Sequence, residues 1–158
     1  MSQLAFHQCS SNDSKLAEVL DLIQSSFAFM DARIDPPSSM HQLTIEKIAE
    51  HCETGEVWCL GDPVAACLFL SERDRYLYLG KLAVAAQLRG KGIARCLVEH
   101  AEHRARAKGF VAMELEVRIE LTENHATFEK LGFRKTSDGA HEGYERSTFI
   151  TMRKDLMA

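Results

Sequence analysis

Leu82-Ala83-Val84-Ala85-Ala86-Gln87-Leu88-Arg89-Gly90-Lys91-Gly92-Ile93-Ala94 is the stretch from which the rest of the chain is read. An apolar run enters a turn with two glycines, and the turn opens a helical pattern carried by Ile93, Leu97, Val98 and Ala101. The first backbone N–H groups of a helix have no internal partner and sit at the positive end of its dipole. Gly90 and Gly92 carry no Cβ, so a phosphate can approach the backbone closely. Arg89 and Lys91 add positive charge at the same point. Those charges oppose the dipole of the helix they start, and such a local conflict is expected where a function imposes it. The stretch reads as an anion site, against the plainer alternative of an exposed helix start.

Neither common nucleotide motif fits. A phosphate loop of the G-x-x-x-x-G-K-[ST] type fails because Gly80-Lys81 is followed by Leu82 and Arg75 stands at the first glycine position. A G-x-G-x-x-G fingerprint fails because Arg95 occupies the third glycine position.

Upstream, residues 4–9 predict a short strand, and Leu16, Val19, Leu20, Ile23 and Phe27 predict an amphipathic helix over 14–29. Pro36 and Pro37 break the pattern. Thr44 can cap a second helix that ends at Gly55. Strands are expected over 57–60, 64–70 and 76–84, forming an antiparallel meander. Downstream, a helix over 89–108 closes at Gly109. A strand over 111–117, a short helix over 122–131, and strands over 133–137 and 147–153 follow, with a polar loop over 138–146. The pattern is α/β (α+β), with helices packed on one mixed sheet.

Two segments now resemble the GNAT-type N-acetyltransferases. Arg89-Gly90-Lys91-Gly92-Ile93-Ala94 matches that family's [Q/R]-x-x-G-x-[G/A] signature, and Phe128-Glu129-Lys130-Leu131-Gly132-Phe133 is similar to its second signature, commonly Y-E-K-L-G-F, at the family's spacing. The resemblance implies a single GNAT-like acetyltransferase domain over residues 1–158. It implies one mixed, mostly antiparallel sheet of about six to seven strands with about four helices, splayed between strands 4 and 5. The cofactor implied is acetyl-CoA. Backbone amides from Arg89 to Ala94 would hold its pyrophosphate, and the backbone of Leu82, Ala83 and Val84 would face its pantetheine arm. An N–H near Val84 would polarise the thioester carbonyl. Asn124 and Phe128 would contact the arm from the other side. The implied reaction is direct attack of a primary amine on the thioester in a ternary complex.

Two departures from the family pattern stand out. Phe128 replaces the usual tyrosine and cannot donate a proton, and Leu121 stands where many members have asparagine. Tyr144 is the candidate replacement acid, and Glu116 and Glu120 are candidate proton relays. Arg33, Asp35 and Ser38, with Tyr78 and His141, are candidates for the acceptor side. A non-catalytic acyl-CoA-binding regulatory module is the alternative reading, because it needs no acid.

Composition sets the outer bounds. Of 158 residues, 46% are hydrophobic and 27% charged, an ordinary globular balance, and a net charge of -4 argues against a nucleic-acid partner. No apolar run approaches the ~18 residues of a membrane span, and the first ten residues lack the features of a signal peptide. The odd count of five cysteines without C-x-x-C spacing favours reduced thiols and a cytoplasmic location, with no metal site expected. His100 and His103 fit a polar helix face rather than a ligand pair. The expected partners are a small-molecule or peptide amine and a second copy in a homodimer.

Overall fold

A computed structural model describes residues 5–28 and 30–156. The apolar run at the centre of the chain forms β3 (Ala66–Glu72), and it is buried on both faces. Ala66, Leu68 and Leu70 pack with Leu97, Val98 and Ala101 on one side. Cys67 and Phe69 pack with Val19, Ile23 and Ile48 on the other. A strand covered on both faces needs no polar alternation, which is why its sequence reads as one hydrophobic run. Each large side chain buried this way contributes roughly 1.5–3 kcal/mol.

Around it the chain builds one seven-stranded sheet in the order β1-β2-β3-β4-β5-β7-β6. The other strands are β1 (Phe6–Gln8), β2 (Glu56–Leu60), β4 (Leu77–Val84), β5 (Ala112–Arg118), β6 (Arg134–Gly139) and β7 (Phe149–Asp155). All neighbours run antiparallel except β4 and β5, which are parallel. Helices α1 (Leu16–Ala28) and α2 (Ile45–Thr54) supply one core, and α3 (Ile93–Ala107) supplies the other. The short α4 (Thr122–Lys130) follows β5. The expected mixed, mostly antiparallel sheet with four helices therefore forms. Leu4 and Phe29, expected in the first strand and first helix, lie outside the described residues.

Three local differences have physical causes. The long helix begins at Ile93 and not at residue 89, because Gly90 and Gly92 take left-handed φ values of 79° and 78°. Two short 3-10 turns, Ser39–Gln42 and Ala86–Leu88, fall in segments too short to carry a period. The last strand, β7, inserts between β5 and β6, pairing from Ala112↔Asp155 to Arg118↔Phe149, and leaves the polar β6 exposed at the edge.

One buried charge ties the sheet to α3. Glu56 is 6% exposed and accepts from Arg104 Nε and Nη2 at 2.9 and 2.8 Å, from Trp58 Nε1 at 2.6 Å and from Lys108 Nζ at 2.9 Å. Burial alone would raise its carboxyl, but the bonds to Arg104, Trp58 and Lys108 outweigh it and hold the group at about 2, against 4.5 ordinarily. A depressed folded-state value gives stability that is fully present above pH 4.5 and is lost as pH falls toward 2. Glu56→Ala is expected to cost about 3 kcal/mol at neutral pH by urea denaturation, because it strands the Arg104 guanidinium and the Trp58 N–H, while Lys108 keeps Glu72. The gap between wild type and variant should narrow as the pH is lowered through that window. A constant gap would show that the carboxylate charge is not its source.

Candidate active site

Only two residue pairs, Leu77↔Met113 and Tyr78↔Glu114, join β4 to β5. Beyond them the parallel strands diverge and open a cavity of about 460 Å³ in the middle of the sheet. Leu79, Gly80, Lys81 and Leu82 form one wall, and Leu115, Glu116, Val117 and Arg118 form the other. On its far side β4 carries a bulge against β3, where the pairing passes from Phe69↔Gly80 to Cys67↔Ala83. Lys81 sits in that bulge at φ 49°, so the strand is re-aimed where the splay widens. Burial lowers the Lys81 ammonium from its ordinary value.

The glycine turn lies at the mouth of this opening. Gly92 precedes α3 with no side-chain cap, so the amides of the first turn are left for an outside acceptor. A Cβ built at Gly90 or Gly92 meets no protein atom within 4 Å. The glycines are therefore required by backbone conformation and not by crowding from the protein, and the space above them is open. Ala94, in the first turn of α3, lines the same cavity as Leu82. An anion on the turn and a slender chain between the strands would thus be continuous. These are the features that a phosphate-bearing thioester cofactor needs.

The polar groups of the cavity converge from separate elements. His141 is held by a fully buried Thr148, whose Oγ1 accepts from the His141 backbone N–H at 2.9 Å and meets Nδ1 at 2.5 Å. The ring packs edge-on to Phe149, with centroids 5.4 Å apart. Burial, then the nearby Arg118 charge, lowers the imidazole below its ordinary value, so it is neutral at pH 7. Arg118 donates to the carbonyls of Pro36 and Pro37 at 2.7 and 3.1 Å, which fastens the Pro-rich loop to β5. Burial pushes the Tyr78 phenol up to about 12. Ser38, Tyr78, Glu116, Asn124, Phe128 and His141, all singled out in the sequence, share this lining.

Others from the same reading lie outside the lining. Arg33 makes a two-pronged pair with Glu123 and also donates to the Glu120 carbonyl at 3.3 Å. Asp35 accepts from the Tyr144 hydroxyl at 2.6 Å and from Arg146 at 2.9 Å. The Asp35 backbone N–H donates to Glu120 at 3.2 Å. Arg33, Asp35, Glu120 and Tyr144 thus hold the Pro-rich loop against the β5–α4 corner and the β6–β7 loop. Ala83 faces the α1–α2 core. Arg89, Gly90, Lys91, Gly92 and Ile93 form the turn and the start of α3.

Three residues of the site escaped the sequence reading. Lys81 was visible only as part of a failed phosphate-loop motif. Arg118 gave no sign of its bonds to the Pro36 and Pro37 carbonyls, which lie 82 and 81 positions away. Thr148 gave no signal, since an apolar strand pattern does not distinguish a buried threonine that orients a histidine seven positions away.

Comparisons with known proteins agree with this geometry. The family model for the acetyltransferase (GNAT) family matches residues 16–133. No curated protein sequence matches the chain. Among solved structures, the PaiA N-acetyltransferase of Thermoplasma acidophilum in complex with coenzyme A superposes with a TM-score of 0.79 at 16% identity, covering 98% of this chain and 100% of that one. A GNAT family acetyltransferase of Elizabethkingia anophelis with acetyl-CoA bound gives 0.71 at 17% identity, covering 99% and 100%. The ribosomal-protein-S18-alanine N-acetyltransferase of Escherichia coli gives 0.71 at 20% identity, covering 99% and 96%. At these identities the likeness is one of fold. No helix among the described residues is long and apolar enough to cross a membrane.

Proposed function

The chain belongs to the GNAT acetyltransferase family, and from that premise we propose that it moves an acetyl group from acetyl-CoA to a primary amine by direct attack in a ternary complex. The observation that carries the reading is that Leu82 of the splayed β4 and Ala94 of the uncapped α3 turn line one cavity. Acetyl-CoA supplies the acyl group already activated as a thioester. The amides from Gly90 to Ala94 bind its phosphates, the Arg89 N–H being engaged with Ala86 O at 3.3 Å, and the open edges of β4 and β5 take its arm. Asn124 and Phe128 close the other side.

The chain's own work is to strip a proton from the amine. A lysine-like amine titrates near 10.4 and attacks only when neutral. His141 is the base best placed for this, since Thr148 engages its Nδ1 and the residue lines the cavity. Glu116, exposed on β5, passes the proton outward through water. Phe128 supplies no acid and none is needed, because a thiolate of ordinary pKa near 8.5 is a tolerable leaving group. In this reading Tyr144, Asp35, Glu120 and Arg33 hold the loop that carries Ser38 to the acceptor. A small-molecule or peptide amine, a cytoplasmic setting that suits five free cysteines, and a homodimer belong to the same proposal.

The test is incubation with acetyl-CoA and a panel of primary amines, comprising amino acids, polyamines and short peptides. Thiol release and product mass are read together. Acetylated amine in step with released thiol is expected. Cofactor binding without transfer to any amine would point instead to the non-catalytic module.

A further inference from the structure

At the β1 edge of the sheet, away from the cavity, three side chains able to ligate a metal come together, and the Cys59 thiol lies against one of them. His7 Nε2, a carboxylate oxygen of Asp13 and Cys9 Sγ all lie within 4.8 Å of one another. His7 and Asp13 are 2.6 Å apart, and Cys9 Sγ is 3.7 Å from Cys59 Sγ. Strand alternation explains the grouping. Phe6 points to the α3 side, where it stacks on His100 with centroids 3.9 Å apart. His7 and Cys9 therefore share the other face. Cys9 stays in line because its N–H donates to Val57 O at 2.8 Å. Cys59 is the direct cross-strand partner of His7, so its side chain stands on the same face. Asp13 enters from the turn after β1, where one of its oxygens also accepts from Lys15 N–H at 2.9 Å.

We infer that His7, Cys9, Asp13 and Cys59 form a structural zinc site. Two thiolates, an imidazole and a carboxylate make a four-donor set of the kind zinc takes. The sulfur separation suits it, since two thiolates on one tetrahedral zinc at about 2.3 Å stand about 3.8 Å apart. His7 Nε2 and the Asp13 carboxylate already meet at 2.6 Å, so two of the donors are brought together before any ion binds. The site also answers a structural need. β1 is three residues long, lies at the sheet edge and has only Phe6 partly buried. A metal would tie this strand and the turn behind it to β2. The expectation of no metal rested on the lack of a C-x-x-C spacing, whereas here the two thiols lie 50 positions apart and meet only through strand pairing. A Cys9–Cys59 disulfide is the rival. It would not account for His7 and Asp13 converging on the same point.

The experiment uses the whole chain, stripped with a chelator and titrated with zinc alone, then with cobalt alone. Zinc is expected to bind one per chain in competition with a chromogenic chelator and to raise Tm. Cobalt should show visible bands of a tetrahedral ion and an ultraviolet thiolate charge-transfer band. Cys59→Ser should abolish the charge-transfer band or weaken it. Because that position is buried, His7→Ala at the exposed end serves as the second variant. It should keep the wild-type circular dichroism while weakening zinc affinity at least about tenfold, the size that even outer partners of a ligand contribute. The inference fails if the stripped protein binds no zinc, if His7→Ala binds it as tightly as wild type, or if intact mass shows a Cys9–Cys59 disulfide under reducing-free purification with no metal. None of these readouts involves acetyl-CoA, so the proposed activity stands or falls separately.

Discussion

His141→Asn is expected to lower kcat by about 10²–10⁴-fold while leaving KM for acetyl-CoA nearly unchanged, the range that loss of a positioned base produces. Asparagine keeps a polar group of similar reach, and the turn around it is fixed independently by the Thr148 backbone, which donates to Gly139 O at 2.8 Å. The pH profile separates a base from a merely structural residue. The wild-type imidazole is held below its ordinary value by burial and by Arg118. Activity should therefore fall only when the pH drops through that lowered value, and His141→Asn should lack this acid limb. Thr148→Val should weaken the same limb without removing it, because the ring remains but loses its orienting hydroxyl. A variant with wild-type kcat and an unchanged profile would take His141 out of the reaction.

Gly92→Trp should abolish the thermal shift produced by acetyl-CoA. In the wild type, ligand at ~100 times its dissociation constant adds about 2.7 kcal/mol, worth about 5–10 °C for a chain of this size. The variant starts less stable, since an L side chain in the left-handed region costs about 1–2 kcal/mol. Of its added atoms, the Cβ meets no protein atom within 4 Å. The side chain occupies the space over the α3 amides where the phosphates would sit. A folded variant with no shift therefore reports loss of the ligand site and not collapse of the turn. Equal shifts in both proteins would place the phosphates elsewhere.

What could be read in the sequence was what is contiguous along it. The turn from Arg89 to Ala94 was legible as a candidate anion site because the glycines, the charges and the start of the helix are neighbours in the chain. The double-sided burial of β3 was visible as an unbroken apolar run. The site itself is mostly assembled at a distance. The hydrogen bond between His141 and Thr148 depends on β6 and β7 closing a hairpin whose polar loop has no pattern of its own. Asp35 was picked for the acceptor side and Tyr144 as the replacement acid, and the fold brings them to one another across 109 positions. The cavity is the hardest feature to foresee. It comes from missing strand pairs between β4 and β5, and neither strand carries a residue that announces where the pairing stops.

The two-pair seam between β4 and β5 has a consequence for how the molecule opens. A central strand pair is ordinarily the part of a sheet slowest to exchange its amide hydrogens, because only global unfolding exposes it. Here the sheet is divided at its middle into a four-stranded half, β1 to β4, and a three-stranded half, β5, β7 and β6. Facing amides and carbonyls along the seam have no partner strand beyond residue 78. These inner amides should exchange by local breathing of the two halves, faster than those of the β2–β3 ladder nearer the edge. A ligand lying along the seam would supply the missing partner and convert the fastest-exchanging interior of the protein into one of its slowest.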